Sequence, residues 1–129
     1  MEVDCIPFKE TGYFSKLICD YLDQKEDLTP FYNRFPHLEN FEDQLKEKAF
    51  NYPAPNRKIL VEALHGQYKD FQVSDATAEK IALLAHEKTF TVVTGHQLNL
   101  FTGPLYFLYM IISTINLTEQ LKYKFPQHE

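Results

Sequence analysis

Phe90-Thr91-Val92-Val93-Thr94-Gly95 is followed by His96-Gln97-Leu98-Asn99-Leu100-Phe101 and then by Thr102-Gly103-Pro104-Leu105-Tyr106. The first piece is short, β-branched and closed by glycine, the pattern of a buried strand. The last piece opens a helix. Thr102 can cap it, and Pro104 falls in the first turn, where a missing N–H costs nothing. The apolar run continues through Met110, Ile111 and Ile112, and Pro126 ends the helix, which is predicted to reach about Tyr123. Strand, loop and helix in this order make a βα unit, so the predicted class is α/β with a parallel sheet.

Upstream the period is helical. Val3 to Phe8 could form a short strand ended by Pro7. From Tyr13 to Asp23 the residues Phe14, Leu17, Ile18, Tyr21 and Leu22 recur at helical spacing. The proline-bracketed aromatic stretch Leu28 to Pro36 reads as a turn or short helix. A helix is expected from His37 to Phe50 with Leu38, Phe41, Leu45 and Ala49 on one face. Pro53 and Pro55 break the chain, and Asn56 is a candidate N-cap for the next helix. Its stripe of Ile59, Leu60, Ala63, Leu64, Tyr68 and Phe71 is expected to be core. Ser74 or Asp75 should cap a further helix carrying Ala78, Ile81, Ala82 and Ala85. The whole of 1–129 thus reads as a helical segment, 1–88, leading into a first clear βα unit, 90–123.

A βαβ unit needs a second strand after its helix. Only Gln127-His128-Glu129 follow Pro126. The sheet core is therefore predicted to be incomplete.

Composition narrows the class of function. Thirteen Lys and Arg against eighteen Asp and Glu leave a net charge of −5, with no basic run along any face. Nucleic acid is not an expected partner, because phosphate binding needs a clustered positive footprint. The longest apolar run, Pro104 to Ile112, falls well short of the roughly 18 residues of a membrane span, and no membrane association is expected. MEVDCIPFKE carries charge where a signal peptide needs an apolar stretch, so the expected location is cytoplasmic. Cys5 and Cys19 are too far apart for a CxxC motif and read as reduced thiols, Cys19 on the apolar side of its helix.

The loop is where chemistry can sit. Ligands of open α/β sheets bind beyond the carboxyl ends of the strands, and the start of the following helix offers unpaired N–H groups suited to an anion. His96, Gln97 and Asn99 bring side-chain donors and acceptors to that place. One reading is a small-molecule or phosphate site, and the other a polar βα loop with a good N-cap; the residues leave both open. There is no GxGxxG, and Pro104 follows Gly103 where a Walker loop has lysine.

Thr94-Gly95-His96-Gln97-Leu98-Asn99-Leu100-Phe101-Thr102-Gly103-Pro104-Leu105-Tyr106 resembles the signature of the bacillithiol cysteine-adding enzymes, the BshC family. Ile111 to Leu117, Thr11 to Leu17 and Phe31 to Pro36 continue the likeness in order along nearly the whole chain. The resemblance implies a Rossmann-like core with inserted helices, of which this would be the N-terminal part, a C-terminal coiled coil, and a homodimer of a protein several times longer. It implies a cysteine ligase acting on glucosaminyl malate to give bacillithiol, with the 129-residue piece inactive alone. Substrate contacts are expected at Gly95, His96, Gln97, Asn99, Thr102, Gly103 and Tyr106. Arg34, among Phe31, Tyr32 and Phe35, is either an anion clamp or packed on its rings.

The same core resembles class I aminoacyl-tRNA synthetases, whose Pro-Thr-Gly run is followed by two histidines. Thr102-Gly103 match, but Tyr106 and Tyr109 stand in the histidine places. ATP or ADP is thus an open cofactor expectation, and no catalytic residue is assigned. His37, His65, His86 and His128 show no metal-ligand spacing, so no metal is expected. A Rossmann-type nucleotide-binding transferase of another kind, or a non-enzymatic interaction domain, are the alternative readings.

Overall fold

The prolines, glycines and hydroxyls punctuate the chain much as their chemistry requires. The computed structural model describes residues 4–97, 99–101 and 103–129. Two compact units divide it, Met1–Asn40 and Phe41–Glu129.

In the first unit, α1 (Phe8–Thr11) follows Pro7 and ends at Gly12, whose φ of 70° is the left-handed helix terminator that glycine adopts without a Cβ penalty. The strand expected over Val3 to Phe8 is absent among the described residues, and Val3 lies outside them. Ser15 caps α2 (Lys16–Leu22) by accepting the Ile18 N–H. A 3₁₀ helix, Glu26–Phe31, occupies the proline-bracketed stretch. Tyr21, Tyr32, Phe35 and His37 form a ring cluster with centroids 4.8–6.4 Å apart. Cys19 is half-buried and Cys5 exposed.

The second unit holds α3 (Phe41–Asn51), α4 (Ala54–Tyr68), α5 (Asp75–Leu83) and α6 (Leu105–Lys124). Three helix starts differ from the expectation. A 3₁₀ turn, Leu38–Asn40, precedes α3. Pro53 caps α4 and Pro55 lies in its first turn, so Asn56 is inside the helix. Prolines there begin the helix because their fixed φ is already helical. Pro104 stands at the N-cap of α6, and Thr102 lies outside the described residues. Ser74 does cap α5, accepting the Thr77 N–H at 3.2 Å.

Phe90–Thr94 forms no helix, and no strand is present among the described residues. Its pairing is a single rung. The Glu129 N–H donates to the Lys88 carbonyl at 3.0 Å, and the Phe90 N–H donates to the Glu129 carbonyl at 2.7 Å. One residue bonded to the two neighbours of Thr89 is the pattern of a parallel pair. The βα unit therefore has its loop, its helix and one parallel contact, but no ladder.

Burial follows from this. Among the described residues Ile81 and Phe125 are the buried apolar ones, and Arg57 and Thr89 the buried polar ones. The α4 stripe is not core as expected: Ile59 is 65% and Phe71 69% exposed, while Leu60 and Leu64 are half-buried. Two mostly apolar cavities of about 660 and 540 Å³ lie against Thr89–Val92, sharing Leu45, Leu84 and Leu121. Side chains of a central strand should meet packed neighbours on both faces; here they meet open space.

Candidate functional site

Gly95 ends the segment Phe90–Thr94, and the next residues turn back onto the first turn of α6. The His96 ring lies between Tyr106 and Phe107, with centroids 5.0 and 4.9 Å away. The Gln97 carbonyl is the hub. His96 Nδ1 is 2.6 Å from it and Asn99 Nδ2 is 2.9 Å from it. A carbonyl oxygen can only accept, so Nδ1 carries the ring proton. Asn99 Nδ2 also lies 2.7 Å from Nδ1. With the proton on Nδ1 that approach is a contact between two donors, both serving one acceptor.

The turn closes through the Gly103 N–H, which donates to the Leu100 carbonyl at 3.1 Å. Phe101 has a φ of 51° and Gly103 one of 63°. Gly103 is glycine for two reasons. Its backbone is in the left-handed region, and a Cβ there would lie 2.7 Å from Asn99 Cβ and 2.8 Å from Asn99 Cγ. Asn99 is thus seated directly on the Gly103 α-carbon. Gly95 meets no such neighbour.

Of the expected contact residues, His96, Gln97, Asn99, Gly103 and Tyr106 are brought together. Gly95 is adjacent in the chain, and Thr102 lies outside the described residues. Arg34 belongs to the first unit and is half-buried there. Neither cavity beside Thr89–Val92 is lined by residues of this loop. Among the described residues no cluster of His, Cys, Asp or Glu is arranged to hold a metal ion, and no helix is long and apolar enough to cross a membrane.

Two features escape a reading of the sequence. Arg57 is only 5% exposed, its guanidinium stacked on Tyr52 and Phe90 and bonded to the carbonyls of Leu84, Glu87 and Thr89. An arginine flanked by apolar helix positions was the available signal. The Asn99–Gly103 contact depends on the turn between them, which spacing alone does not encode.

A segment with one parallel contact at Thr89, a glycine-bounded polar loop and a long helix follow one another in the order that Rossmann-like domains use. The chain belongs to the family described as bacillithiol biosynthesis BshC, N-terminal Rossmann-like domain, which it matches over residues 1–129. It is 60% identical over 128 residues to the "Putative cysteine ligase BshC" of Flavobacterium johnsoniae, 57% identical over 129 residues to that of Flavobacterium psychrophilum, and 43% identical over 127 residues to that of Cytophaga hutchinsonii. Each comparison covers 98–99% of this chain and 24% of the relative, so the chain spans about a quarter of the length of the curated relatives it matches. No solved structure matches it. The family is one of enzymes in bacillithiol biosynthesis.

Proposed function

We propose that this chain supplies one wall of the substrate site of a ligase that adds cysteine to glucosaminyl malate, forming bacillithiol. The observation that carries the reading is the folding of His96, Gln97 and Asn99 onto the first turn of α6, beside a glycine that no larger residue can replace. The start of a 20-residue helix favours negative charge, by roughly 0.3–1 kcal/mol when exposed and more when partly buried. The malate carboxylates are suitable guests there. The names of the relatives support the cysteine half of the reaction.

A triphosphate fits these residues less well. Tyr106 and Tyr109, 56% and 63% exposed, present phenols where the synthetase-like pattern has imidazoles. The loop from Gly95 to Phe101 has no lysine or arginine. A homodimer of the full-length protein and a cytoplasmic location belong to the same proposal.

The test is restoration of the thiol in a bacterial strain lacking it, read by mass spectrometry of labelled cellular thiols. The full-length gene should restore bacillithiol, and the 129-residue chain alone should not. One βα loop furnishes only part of a two-substrate cleft, and positioning two substrates can be worth roughly 7–11 kcal/mol. A His96→Ala, Gln97→Ala double variant should lose most of the restoration. Asn99→Ala should weaken glucosaminyl malate binding by calorimetry, whereas Gly103→Val displaces Asn99 and tests the turn rather than the ligand. Glucosaminyl malate accumulating beside the full-length gene, with no bacillithiol, would defeat the reading.

A further inference from the structure

We propose that His96 is the proton acceptor for the substrate amine, through Nε2, and that Asn99 is the positioning residue that fixes it. This rests on the ligase reading above and assigns a catalytic role within it.

The chemistry sets the requirement. An amino sugar reaches the site as an ammonium ion and has no lone pair to offer until it loses a proton. That proton passes to Nε2. The freed nitrogen pair forms the N–C bond to the carbonyl carbon of a cysteinyl group activated at its carboxyl, an acyl anhydride or ester. The leaving group departs with its bonding electrons, the nitrogen gives up its second proton to that group or to water so that the amide is neutral, and the imidazolium returns the first proton to solvent.

The geometry points to His96 as that acceptor. It is the sole titratable side chain from Gly95 to Phe101. The Gln97 carbonyl 2.6 Å from Nδ1 places the proton on Nδ1, leaving the lone pair on Nε2. Among the described residues Nε2 makes no hydrogen bond, whereas Nδ1 is engaged by the Gln97 carbonyl. Tyr106 and Phe107 pack against the ring from the α6 side. The groups facing the imidazole are these two rings and, from its own loop, Gln97 and Asn99; of the four only the Tyr106 phenol is titratable.

Asn99 works one step back. Its Nδ2 donates to the same Gln97 carbonyl at 2.9 Å, and its Cβ and Cγ are seated where a Gly103 Cβ would be. Carbonyl, ring tautomer and turn are locked together through one amide.

The experiment uses the purified full-length protein with glucosaminyl malate and cysteine, ATP in the buffer, and mass-spectrometric rates of cysteinyl amide formation across pH. His96→Asn keeps a donor near the Nδ1 position and deletes Nε2. General-base losses are typically 10²- to 10⁴-fold, so kcat should fall at least about 100-fold. KM for glucosaminyl malate should stay within about threefold, and the acidic limb of the kcat profile should vanish. His96→Gln is the second variant should the first fail to fold, with the same loss expected. Nitrogen-15 NMR of histidine-labelled wild type should show the neutral ring protonated at Nδ1, and Asn99→Ala should mix the tautomers while retaining the acidic limb. Wild-type kcat in His96→Asn or His96→Gln, an unchanged limb, or a ring protonated at Nε2 would overturn the assignment while leaving the ligase reading standing. A wild-type protein that forms no cysteinyl amide would sink both.

Discussion

Arg57 shows what a single side chain can hold in a molecule with little core. A guanidinium presents five donors in a plane, and here Nη1 reaches the carbonyls of Leu84 and Thr89 at 3.2 and 2.9 Å while Nη2 reaches Glu87 at 3.3 Å. These carbonyls lie just past α5 and at the entrance to the segment Phe90–Thr94, so Arg57 joins α4 to the start of the βα unit. The Tyr52 and Phe90 rings lie 5.5 and 5.7 Å from its central carbon and accept its positive charge on their faces. Truncation leaves three carbonyls without their donor in a half-buried place. Hydrogen bonds to a charged group contribute roughly 1.5–3 kcal/mol each and are not additive. Arg57→Ala is therefore expected to lower stability by about 2–3 kcal/mol in urea unfolding of the full-length protein. Arg57→Lys should recover little, since one ammonium cannot span the three carbonyls. A midpoint unchanged in both variants would show that the carbonyls find other partners. The one sequence signal for Arg57, its place among apolar helix positions, does not name its partners. Its role arises from residues 27 to 32 positions away. His96, Gln97 and Asn99, by contrast, are close enough in sequence that a strand-loop-helix reading already places them in one loop.

At the scale of elements, helices were legible where local chemistry decides them. Ser15 and Ser74 make cap bonds, and the end of α6 at Lys124 follows from Pro126. Partner-dependent features were not. The strand expected over Phe90 to Thr94 is not realised among the described residues, because a ladder is a property of two segments. The stripe on α4 has helical spacing, yet Ile59 and Phe71 find nothing to pack on. The one rung, at Thr89 and Glu129, is pinned from the side by Lys122, whose Nζ lies 2.8 Å from Glu129 Oε2. Hydrogen bonding from Lys122, then its charge, holds the Glu129 carboxyl below the ordinary glutamate range. The sign follows directly. A carboxyl whose folded pKa is depressed stabilises the fold above its unfolded pKa and loses that contribution as pH falls through the folded value. Acidification should therefore release the pin, and amide exchange at Phe90, corrected for intrinsic rates, should speed up below the glutamate range. In Lys122→Met the same acid-dependent change should be absent. An equal acid response in that variant would place the weakness elsewhere.

For the whole molecule the decisive quantity is surface. The chain exposes 11005 Å² at 15.2 kDa, where a compact monomer of that mass exposes about 7,000 Å², and two separate units of this size about 8,500 Å². Among the described residues no side chain is fully buried. The excess is apolar in character: Val93 is 82% exposed, and Leu105, Ile112 and Ile115 on α6 are more than half exposed. Each thousand Å² of apolar surface left in water forgoes roughly 25 kcal/mol of burial free energy, more than the 5–15 kcal/mol by which whole domains are stable. Such a surface is reduced either by further polypeptide or by another molecule. When the 129-residue chain is made alone, the available molecule is a second copy, and the unladdered segment Thr91 to Thr94 offers it backbone donors and acceptors. Self-association with broad unfolding and binding of a hydrophobic dye is the expected behaviour, rising with concentration in sedimentation velocity. Full-length protein under the same conditions should unfold sharply and bind little dye. Val93→Lys, which puts charge on the exposed edge, should reduce association of the short chain without affecting its helix content. If the short chain sediments as a single monomer, melts in one cooperative step and leaves the dye dark, then its helices pack better than their exposure indicates and the sheet is not what they lack.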